Sequence, residues 1–566
     1  MKILLAAINA KYIHSNPAVY GLRAYAAEFR DRIEIAEFTI NQTGGYILEE
    51  IYKRKPDVLC FSVYIWNLSC VEEAAREFHK LCPQVPIWVG GPEVSYETDT
   101  FLKEHPWAEG IMVGEGEESF RSLCALWCQS PEAKSPGQIP GLVFRRGAGI
   151  CHTGMGEPLD MSSLPFAYEK TEDFANRIIY YESSRGCPFS CSYCLSSVDK
   201  HLRFRREDLV KKELQFFLDH GVAQVKFVDR TFNCHHRHAM EIWNYILEHD
   251  NGITNFHFEI SADLLNEEEL ELLERMRPGL VQLEIGVQST NLSTIQEIHR
   301  TMDLGRLKQV VKRIRSCGNI HQHLDLIAGL PEEGYESFRT SFDEIYALQP
   351  NQLQLGFLKV LKGSYMYEHA QDYGLIYLSR PPYEVLASRW LSYGELLAIK
   401  RVEEMLEIYY NSGQYEMTMR LVMLLEESMF DFFLALGSFY ERKGYLAMSH
   451  SRIRRCEILL EFLKEERQKW PAELLRESLL FDLYYRENCK SRPAWAADPA
   501  DFRDMTHKYC RRGKLTHLEP FHYRFPDKTD PLSAPLPIRQ ETPLWVLFDY
   551  ENRDPLDHQA EVTYIS

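Results

Sequence analysis

Three cysteines, Cys187, Cys191 and Cys194, stand at the spacing C-x3-C-x2-C in one short stretch that follows a mostly apolar run at 177–181. Cysteine thiolates are the usual protein ligands of iron–sulfur clusters, and a cubane cluster has four irons to be held. Three ligands from one loop would leave one iron open to bind a further molecule. The spacing therefore predicts an iron–sulfur cluster with one reactive iron.

Two other uses of clustered cysteines remain open at this point. A structural zinc site needs four ligands, and the nearest additional donors are in the segment Cys234-His235-His236-Arg237-His238. The histidines of that segment are expected to face solvent at the start of a helix rather than to bind metal. A disulfide within the loop is the second alternative.

The cysteine loop resembles the cluster-binding loop of the radical S-adenosylmethionine (SAM) enzymes. Tyr193 matches the aromatic residue that usually precedes the third cysteine. The resemblance implies a 4Fe-4S cluster whose open iron binds the amino and carboxylate groups of SAM. It also implies reductive cleavage of SAM to a 5′-deoxyadenosyl radical, with the electron supplied by a flavodoxin- or ferredoxin-type donor.

The composition limits the class of protein. The chain has 566 residues, 45% hydrophobic and 26% charged, which is typical of a globular protein of several domains. No apolar run is long enough to span a bilayer, and Met1–Ile8 is typical of a buried strand rather than of a signal peptide. Fourteen cysteines are too few and too irregular for a disulfide framework, which favours a reducing, cytoplasmic location. The net charge of −18 opposes an extended phosphate-binding face, so a small-molecule or peptide substrate is expected rather than nucleic acid.

The first 130 residues alternate apolar, strand-like runs with amphipathic helices, which predicts a doubly wound parallel sheet. Ligands bind such sheets beyond the carboxyl ends of the strands. Three of these ends carry Ser62 and Tyr64; Gly90, Gly91, Pro92 and Glu93; and Gly114, Glu115, Gly116 and Glu117. Because glycine lets the backbone pass close to a bulky ligand, a ligand crevice is predicted along this edge.

This region resembles the cobalamin-binding domain that precedes many radical SAM domains, on the motifs Gly90-Gly91-Pro92 and Gly114-Glu115-Gly116-Glu117. The resemblance implies cobalamin in the crevice, with its nucleotide tail beside Ser62, Tyr64 and the Gly90–Gly91 turn. The motif D-x-H-x-x-G, whose histidine ligates cobalt in methionine-synthase-type domains, is absent. His14 is therefore interpreted as a surface or packing residue, and the lower cobalt face is expected to be open or shielded by protein.

The βα alternation continues from 176 to 375 with six strands, which resembles the partial (β/α)6 barrel of the radical SAM enzymes. Reactive groups of such barrels stand at the carboxyl ends of the strands. The resemblance implies SAM contacts by Asp229 at the methionine amino group, Glu259 and Ser261 at the ribose or carboxylate, and Gly286 and Gln288 along the adenosine. Glu284 is equally compatible with a structural salt bridge.

The predicted domains are 1–130, a connector with a short hairpin at 131–175, the barrel at 176–375 and a mostly helical region at 376–566. In the last region long helices are expected at 387–411, 414–436 and 446–468, and a terminal β-hairpin joins 545–550 to 561–565. This region resembles a C-terminal domain of unknown function found on a subset of these proteins. It contains nothing that identifies a substrate.

The two resemblances together imply a cobalamin-dependent radical SAM enzyme that acts under anaerobic conditions. The leading hypothesis is transfer of a methyl group to an unactivated carbon, or to phosphorus, of the substrate. A radical cyclase or ring-rearranging oxidoreductase of the same build is the main alternative. A methylthiotransferase is disfavoured because no second three-cysteine set stands in the first domain. A cobalamin sensor with a relict catalytic domain is the alternative from outside the enzymes.

Overall fold

A computed structural model of the chain describes residues 1–168, 170, 174, 176–510, 515–526 and 535–565. The predicted end of the connector, residue 175, and the last residue, 566, lie outside the described residues. The chain forms two compact units. The first contains Met1–Arg275, Gln296–Met302 and Phe357–Arg389, and the second contains Met276–Ile295, Asp303–Gly356 and Trp390–Ser566. Strands of the central region fall in both units.

The first unit begins with a parallel α/β sheet. Its strands are β1 (Ile3–Asn9), β2 (Ile33–Thr39), β3 (Val58–Ser62), β4 (Ile87–Gly90), β5 (Ala108–Met112), β6 (Leu142–Arg146) and β7 (Gly149–His152). Its helices are α1 (Pro17–Tyr25), α2 (Gly44–Arg54), α3 (Leu68–Leu81), α4 (Thr98–Glu104) and α5 (Glu117–Trp127). The strand order is β2-β1-β3-β4-β5-β6-β7. Strands β1 to β5 are parallel, and the hairpin β6–β7 extends the sheet antiparallel to β5.

Burial explains why these residues form this layer. Strand β1 is buried along its whole length, as expected of a central strand covered on both faces. Helix α3 presents Val71, Ala74, Ala75 and Phe78 to the core at helical spacing. The strand order reverses between β1 and β3, so the ends of these two strands border the crevice typical of such sheets. The predicted doubly wound sheet is confirmed.

The first unit continues into the central region. Its further strands are β8 (Ile179–Tyr181), β9 (Ser184–Arg185), β10 (Arg203–Phe204), β11 (Gln224–Phe227) and β12 (Asn255–Ile260). Helices α6 (Glu207–Asp219), α7 (His236–Glu248) and α8 (Glu267–Glu274) alternate with them. Strand β11 pairs in parallel with β8 on one side and β12 on the other, while β9 and β10 form a separate antiparallel ladder.

The second unit carries the next strands of the βα series. These are β13 (Val281–Gln288), β14 (His321–Ala328) and β15 (Gln352–Phe357), with helices α9 (Leu292–Glu297), α10 (Leu304–Cys317) and α11 (Tyr335–Tyr346) between them. Strands β13 and β14 are parallel. Alternate residues of both strands are buried, so the residues between them face the other side of the sheet.

The chain then returns to the first unit with α12 (Tyr365–Glu368), β16 (Ile376–Tyr377) and β17 (Val385–Ala387). The rest of the second unit is mainly helical. Its helices are α13 (Tyr393–Leu406), α14 (Glu416–Leu425), α15 (Met429–Lys443), α16 (Arg452–Glu466), α17 (Ala472–Arg486) and α18 (Arg503–Tyr509). In the part of the chain that the structure describes, none of the helices has the length and hydrophobicity needed to span a bilayer.

This helical region differs from the sequence expectation at several points. The helices expected from 387 and 446 begin at Tyr393 and Arg452, because Val385–Ala387 forms strand β17 and Ser451 caps α16. The helix expected over 414–436 is two helices, because the backbone is extended at Glu426 and Ser428 then caps α15. The expected terminal hairpin, β19 (Leu544–Arg553) with β20 (Ala560–Ile565), is joined by an unexpected third antiparallel strand, β18 (Thr516–Phe521). Strand β18 contains Pro520, a residue that usually argues against a strand interior.

Candidate functional site

The loop that carries the three cysteines begins directly after β9. Gly186 has a φ of +90°, and a Cβ atom there would lie 2.6 Å from the carbonyl oxygen of His201. Only glycine fits this turn without strain. The amide of Cys187 donates to the carbonyl of Asp199 at 3.2 Å, so the returning strand β10 closes the loop.

The three cysteines lie together in this loop as free thiols. Cys187 and Cys191 are each 8% exposed, and Cys194 is half-buried. The Cys191 sulfur lies within electrostatic reach of both of the other two. The alternative of a disulfide in the loop is therefore wrong. Three adjacent, poorly solvated thiols are a donor set that fits an iron–sulfur cluster.

Arg300 contacts this loop, and sequence reasoning did not find it. Its Nη1 lies 3.9 Å from the Cys191 sulfur and 3.4 Å from the Tyr193 hydroxyl. Burial raises the pKa of the Cys191 thiol, while the Arg300 charge acts in the opposite direction. The amide of Ser192 donates to the carbonyl of Ile298 at 2.9 Å, which fixes the Arg300 segment against the loop. A cation beside a cluster thiolate stabilises its negative charge and is one determinant of cluster potential.

Asp229 anchors the approach to the cysteine loop. Its carboxylate accepts from the Ser183 amide at 3.0 Å, the Ser183 hydroxyl at 2.6 Å and the Ser184 hydroxyl at 2.5 Å. The side chain is 1% exposed, and burial raises the pKa of its carboxyl group. Asp229 thus faces the end of β8 and the start of β9, and its contact with SAM stays a prediction.

The expectation that the histidines after Cys234 face solvent is wrong for His238. His235 and His236 are exposed, but His238 is only 3% exposed and its Nε2 lies 2.9 Å from the Ser183 hydroxyl. Burial lowers the pKa of His238 to about 4. Because the Ser183 hydroxyl donates its only hydrogen to Asp229, the hydrogen between Ser183 and the neutral ring comes from the His238 Nε2. The helical spacing of α7 that buries Ala239 and Ile242 also buries His238, which the sequence could have indicated.

The other predicted SAM contacts lie at the next strand ends. In the first unit, Glu259 lies 3.9 Å from the Lys226 ammonium, and Ser261 exchanges two hydrogen bonds with Asn233 at 2.8 and 2.9 Å. In the second unit, the register of β13 shifts between Gly286 and Gln288. Gln288 has a φ of +71°, and its buried Oε1 has no hydrogen-bond partner among the described residues. Such a side chain retains an acceptor for a ligand.

The turn after β4 is built around Gly90 and Gly91. The Val63 amide donates to the Gly90 carbonyl at 2.7 Å. Gly91 has a φ of +118°, and a Cβ atom there would lie 2.4 Å from the Val63 carbonyl oxygen. Ser62 is buried and accepts from the Asn16 side chain at 3.1 Å. The backbone conformation of this turn therefore depends on glycine at position 91, and a larger residue there would disrupt it.

Pro92 and Glu93 follow this turn. Pro92 is exposed, whereas Glu93 is buried and accepts a hydrogen bond from the Tyr383 hydroxyl. Burial raises the pKa of the Glu93 carboxyl group, and Lys362 opposes this rise. The segment that contains Lys362 and Tyr383 therefore packs against Glu93, at the end of strand β4.

Aromatic side chains project from the same edge. Tyr64 stacks on Trp66 with ring centroids 4.3 Å apart, and Trp66 remains 43% exposed. Tyr12, after β1, is 66% exposed and lies under the Arg177 guanidinium at 4.9 Å. A flat, largely apolar macrocycle such as a corrin fits exposed aromatic faces of this kind. His14 contacts the Tyr180 hydroxyl at 2.6 Å, which agrees with its interpretation as a packing residue.

The motif Gly114-Glu115-Gly116-Glu117 connects the first domain to the cysteine loop. Gly114 has a φ of +77°, and Gly116 directly precedes α5. Arg185 pairs with Glu117 at 2.6 Å and with Glu115 at 3.5 Å, and Arg203 pairs with Glu115 at 2.7 Å. Both carboxylates therefore face the β9–β10 ladder rather than an open crevice. Tyr64 also lies within electrostatic reach of Glu182 and Arg230, so the two strand edges of this unit face each other.

Three family models match successive parts of the chain. The B12 binding domain matches residues 3–124, the Radical SAM superfamily matches residues 181–345, and the family described as protein of unknown function DUF4080 matches residues 371–526. The predicted pairing of a B12-binding domain with a radical SAM domain is confirmed. The resemblance of the C-terminal region to a domain of unknown function is confirmed as well.

Characterised proteins share parts of this organisation. The cobalamin-dependent radical SAM methyltransferase TokK of Streptomyces tokunonensis is 26% identical over 403 residues, which cover 64% of this chain and 57% of TokK. The anaerobic magnesium-protoporphyrin IX monomethyl ester cyclase of Rubrivivax gelatinosus is 21% identical over 328 residues, which cover 56% of this chain and 59% of the cyclase. The chain thus spans less than two thirds of the length of these curated relatives.

A solved structure confirms the fold. The radical SAM methyltransferase TsrM from Kitasatospora setae, with cobalamin and a 4Fe-4S cluster bound, superposes with a TM-score of 0.54 at 16% identity, covering 67% of this chain and 76% of TsrM. The predicted α/β fold class, with a B12-binding domain before a radical SAM domain, is confirmed by this likeness and by the family matches. The chain therefore combines, in order, a region that matches the B12 binding domain, a region that matches the Radical SAM superfamily and a region that matches DUF4080.

Proposed function

We propose that this protein is a cobalamin-dependent radical SAM methyltransferase that methylates an unactivated carbon, or phosphorus, of a small-molecule or peptide substrate. One observation carries the proposal. The buried three-thiol loop is joined, through Arg185 and Arg203, to carboxylates at the strand edge of the B12-binding domain. Chemistry that needs a cluster and a corrinoid near each other requires such a connection.

The cofactors would be held by the residues at the two edges. Cys187, Cys191 and Cys194 would bind the 4Fe-4S cluster, with Tyr193 and Arg300 against them. The Gly90–Gly91 turn, Ser62 and the exposed aromatic rings would accommodate cobalamin. Gln288 would offer its buried amide oxygen to SAM. When bound, the cluster would supply the electron that cleaves SAM, and the corrinoid would carry the methyl group.

The protein's own contribution is position and shielding. The network of Asp229, Ser183 and His238 holds the start of the loop, and Gly186 allows its turn. The relative TokK is named a methyltransferase, which supports methyl transfer. A matching cyclase keeps a radical reaction without methyl transfer as the second candidate.

Isotope transfer separates the two candidates. The anaerobically reconstituted full chain, supplied with hydroxocobalamin, a low-potential reductant and SAM labelled in its methyl group, is incubated with candidate small molecules and peptides. A methyltransferase yields a labelled product together with 5′-deoxyadenosine. A cyclase yields 5′-deoxyadenosine and an unlabelled product, and this result would overturn the proposal. A protein that yields no 5′-deoxyadenosine would instead fit the sensor alternative.

We further propose a flavodoxin- or ferredoxin-type electron donor, a cytoplasmic location and an anaerobic working environment. All fourteen cysteines are free thiols, which supports a reducing compartment. A cluster with an open iron is readily damaged by oxidants, which supports handling without oxygen. The acidic net charge of −18 supports the expectation that nucleic acid is not the substrate.

A further inference from the structure

A second group of metal-binding side chains lies in the second unit, on strands β13 and β14. Glu284, His323 and Asp325 each offer one donor atom, and these atoms all lie within 4.8 Å of one another. We infer that these three residues form a binding site for a first-row divalent cation. Neither the cysteine loop nor the strand edge of the first domain includes any of them.

Strand register brings the three side chains together. Glu284 and His323 are direct partners across the parallel pair, and Asp325 is two residues beyond His323 on the same strand. Residues two apart on a strand point to the same face. The sheet itself therefore fixes the spacing, because neither strand can slip without exposing its buried alternate residues.

The distances suit a single ion. The His323 Nε2 and the Asp325 Oδ1 are 3.1 Å apart. Two ligands bonded to one zinc ion at about 2.1 Å are themselves separated by roughly 3.4 Å. A carboxylate oxygen of Glu284 lies within 4.8 Å of both of these atoms. One imidazole nitrogen and two carboxylates leave further coordination positions for water or an anionic ligand, as in metal sites that are not closed by protein.

The surroundings also suit a metal ligand set. His323 is 8% exposed and the Asp325 side chain is 17% exposed, so both donors are shielded from bulk water. Each of the three residues also has at least one interaction outside this group. Ligating histidines and carboxylates commonly have such outer partners, which orient them toward the ion.

A second three-donor group provides an internal comparison. Glu473, Glu477 and His522 also place their donor atoms within 4.8 Å. This group is more exposed, and Arg539 already pairs with Glu473 at 3.1 Å. A divalent cation would have to compete there with an arginine, so the group on β13 and β14 is the favoured site.

Mn²⁺ is a suitable probe because it prefers nitrogen and oxygen ligands over the many thiols of this chain. The reconstituted full chain is titrated with Mn²⁺, and the free ion is measured from its six-line EPR signal. We expect one ion bound per chain, with at least a tenfold weaker affinity in His323→Gln and in Asp325→Asn. The control Glu473→Gln should bind as the unsubstituted chain does. Zn²⁺ should displace the bound Mn²⁺.

Two results would overturn this inference. One is no binding of Mn²⁺ by the unsubstituted chain, and the other is equal binding by that chain and His323→Gln. Pulsed EPR of bound Mn²⁺ provides a test that needs no variant of β14. Coupling to an imidazole nitrogen that persists in His522→Gln supports the site, whereas coupling that disappears in His522→Gln assigns the ion to the other group and refutes the inference.

Discussion

The two facing strand edges of the first unit are built in different ways. The edge of the B12-binding domain depends on backbone shape, since Gly91 occupies a conformation and a space that no other residue fits. The edge of the cysteine loop depends on buried polar side chains, with Asp229 and His238 fixing Ser183 and Ser184. An edge of the first kind suits a large ligand that needs room. An edge of the second kind suits a loop whose ligand atoms must be held in place.

The largest effect is expected at the cysteine loop. Cys191→Ala removes one of the three proposed ligand atoms, and we expect loss of the 4Fe-4S cluster and of all 5′-deoxyadenosine formation. Iron and sulfide analysis and the EPR spectrum of the reduced protein measure the cluster content. Chromatography measures the 5′-deoxyadenosine. Cys317→Ala, which changes an exposed cysteine on α10, should leave both unchanged. Full cluster content in Cys191→Ala would refute the ligand assignment, while binding of hydroxocobalamin should persist.

The cysteine-loop edge should also be sensitive to acid. His238 is buried and neutral, with its pKa lowered to about 4 from the ordinary value of 6.5. The unfolded form therefore binds a proton at a higher pH than the folded form does. The stability that the neutral His238 ring contributes to the folded loop is complete above pH 6.5 and is lost as the pH falls toward about 4. We expect the local opening free energy of residues 183–205 to fall by about 2–3 kcal/mol over this window.

Hydrogen–deuterium exchange, corrected for the intrinsic pH dependence, measures this opening energy. His238→Gln can still donate to Ser183 but cannot titrate, so the fall should be absent in that variant. Peptides from the Gly90–Gly91 turn serve as the internal control. Equal pH dependence in the variant and the unsubstituted chain would assign the effect to another group.

The glycine-built edge should respond to shape rather than to pH. Gly91→Ala places a Cβ atom 2.4 Å from the Val63 carbonyl oxygen at a φ of +118°. Such strain costs about 1–3 kcal/mol. We expect the turn to shift so as to relieve it, and binding that requires the original turn then weakens by the same free energy, roughly 5- to 150-fold. Equilibrium dialysis of the corrinoid measures this change.

The matched control for this turn is Gly45→Ala. Gly45 lies on helix α2 with open space around it, so alanine there should leave binding unchanged and slightly stabilise the helix. Unaltered corrinoid binding in Gly91→Ala would mean that this turn does not border the corrinoid site.

The sequence predicted those parts of both edges that depend on neighbours along the chain. The cysteine spacing, the glycine turn at Gly91 and the alternation of strands and helices all follow from local pattern. Arg300 could not be found in this way, because it is 109 residues from Cys191 and a single arginine has no local signal. The partners of Glu115 and Glu117 were likewise hidden, since a glutamate at a strand end is compatible with a ligand or with an arginine elsewhere. Contacts between residues far apart in the sequence determine which of these two partners each glutamate has.

The smallest effect concerns the connection between the two edges. The side chains of Arg185 and Glu117 are 19% and 11% exposed. The free-energy cost of burying the Arg185 charge is partly offset, because Arg185 also contacts Glu182 and Glu115. A double-mutant cycle of Arg185→Gln and Glu117→Gln should give a coupling energy of about 1 kcal/mol in the opening of residues 183–205, measured by hydrogen exchange. The exposed pair of Lys80 and Glu77, 2.7 Å apart on α3, is the matched control and should give less than about 0.5 kcal/mol. A coupling no larger than that of the control pair would mean that the glycine-built edge and the cysteine loop are held independently. The proposal that this contact keeps the cluster and the corrinoid sites in a fixed relation would then have to rest on Arg203 and Glu115 alone.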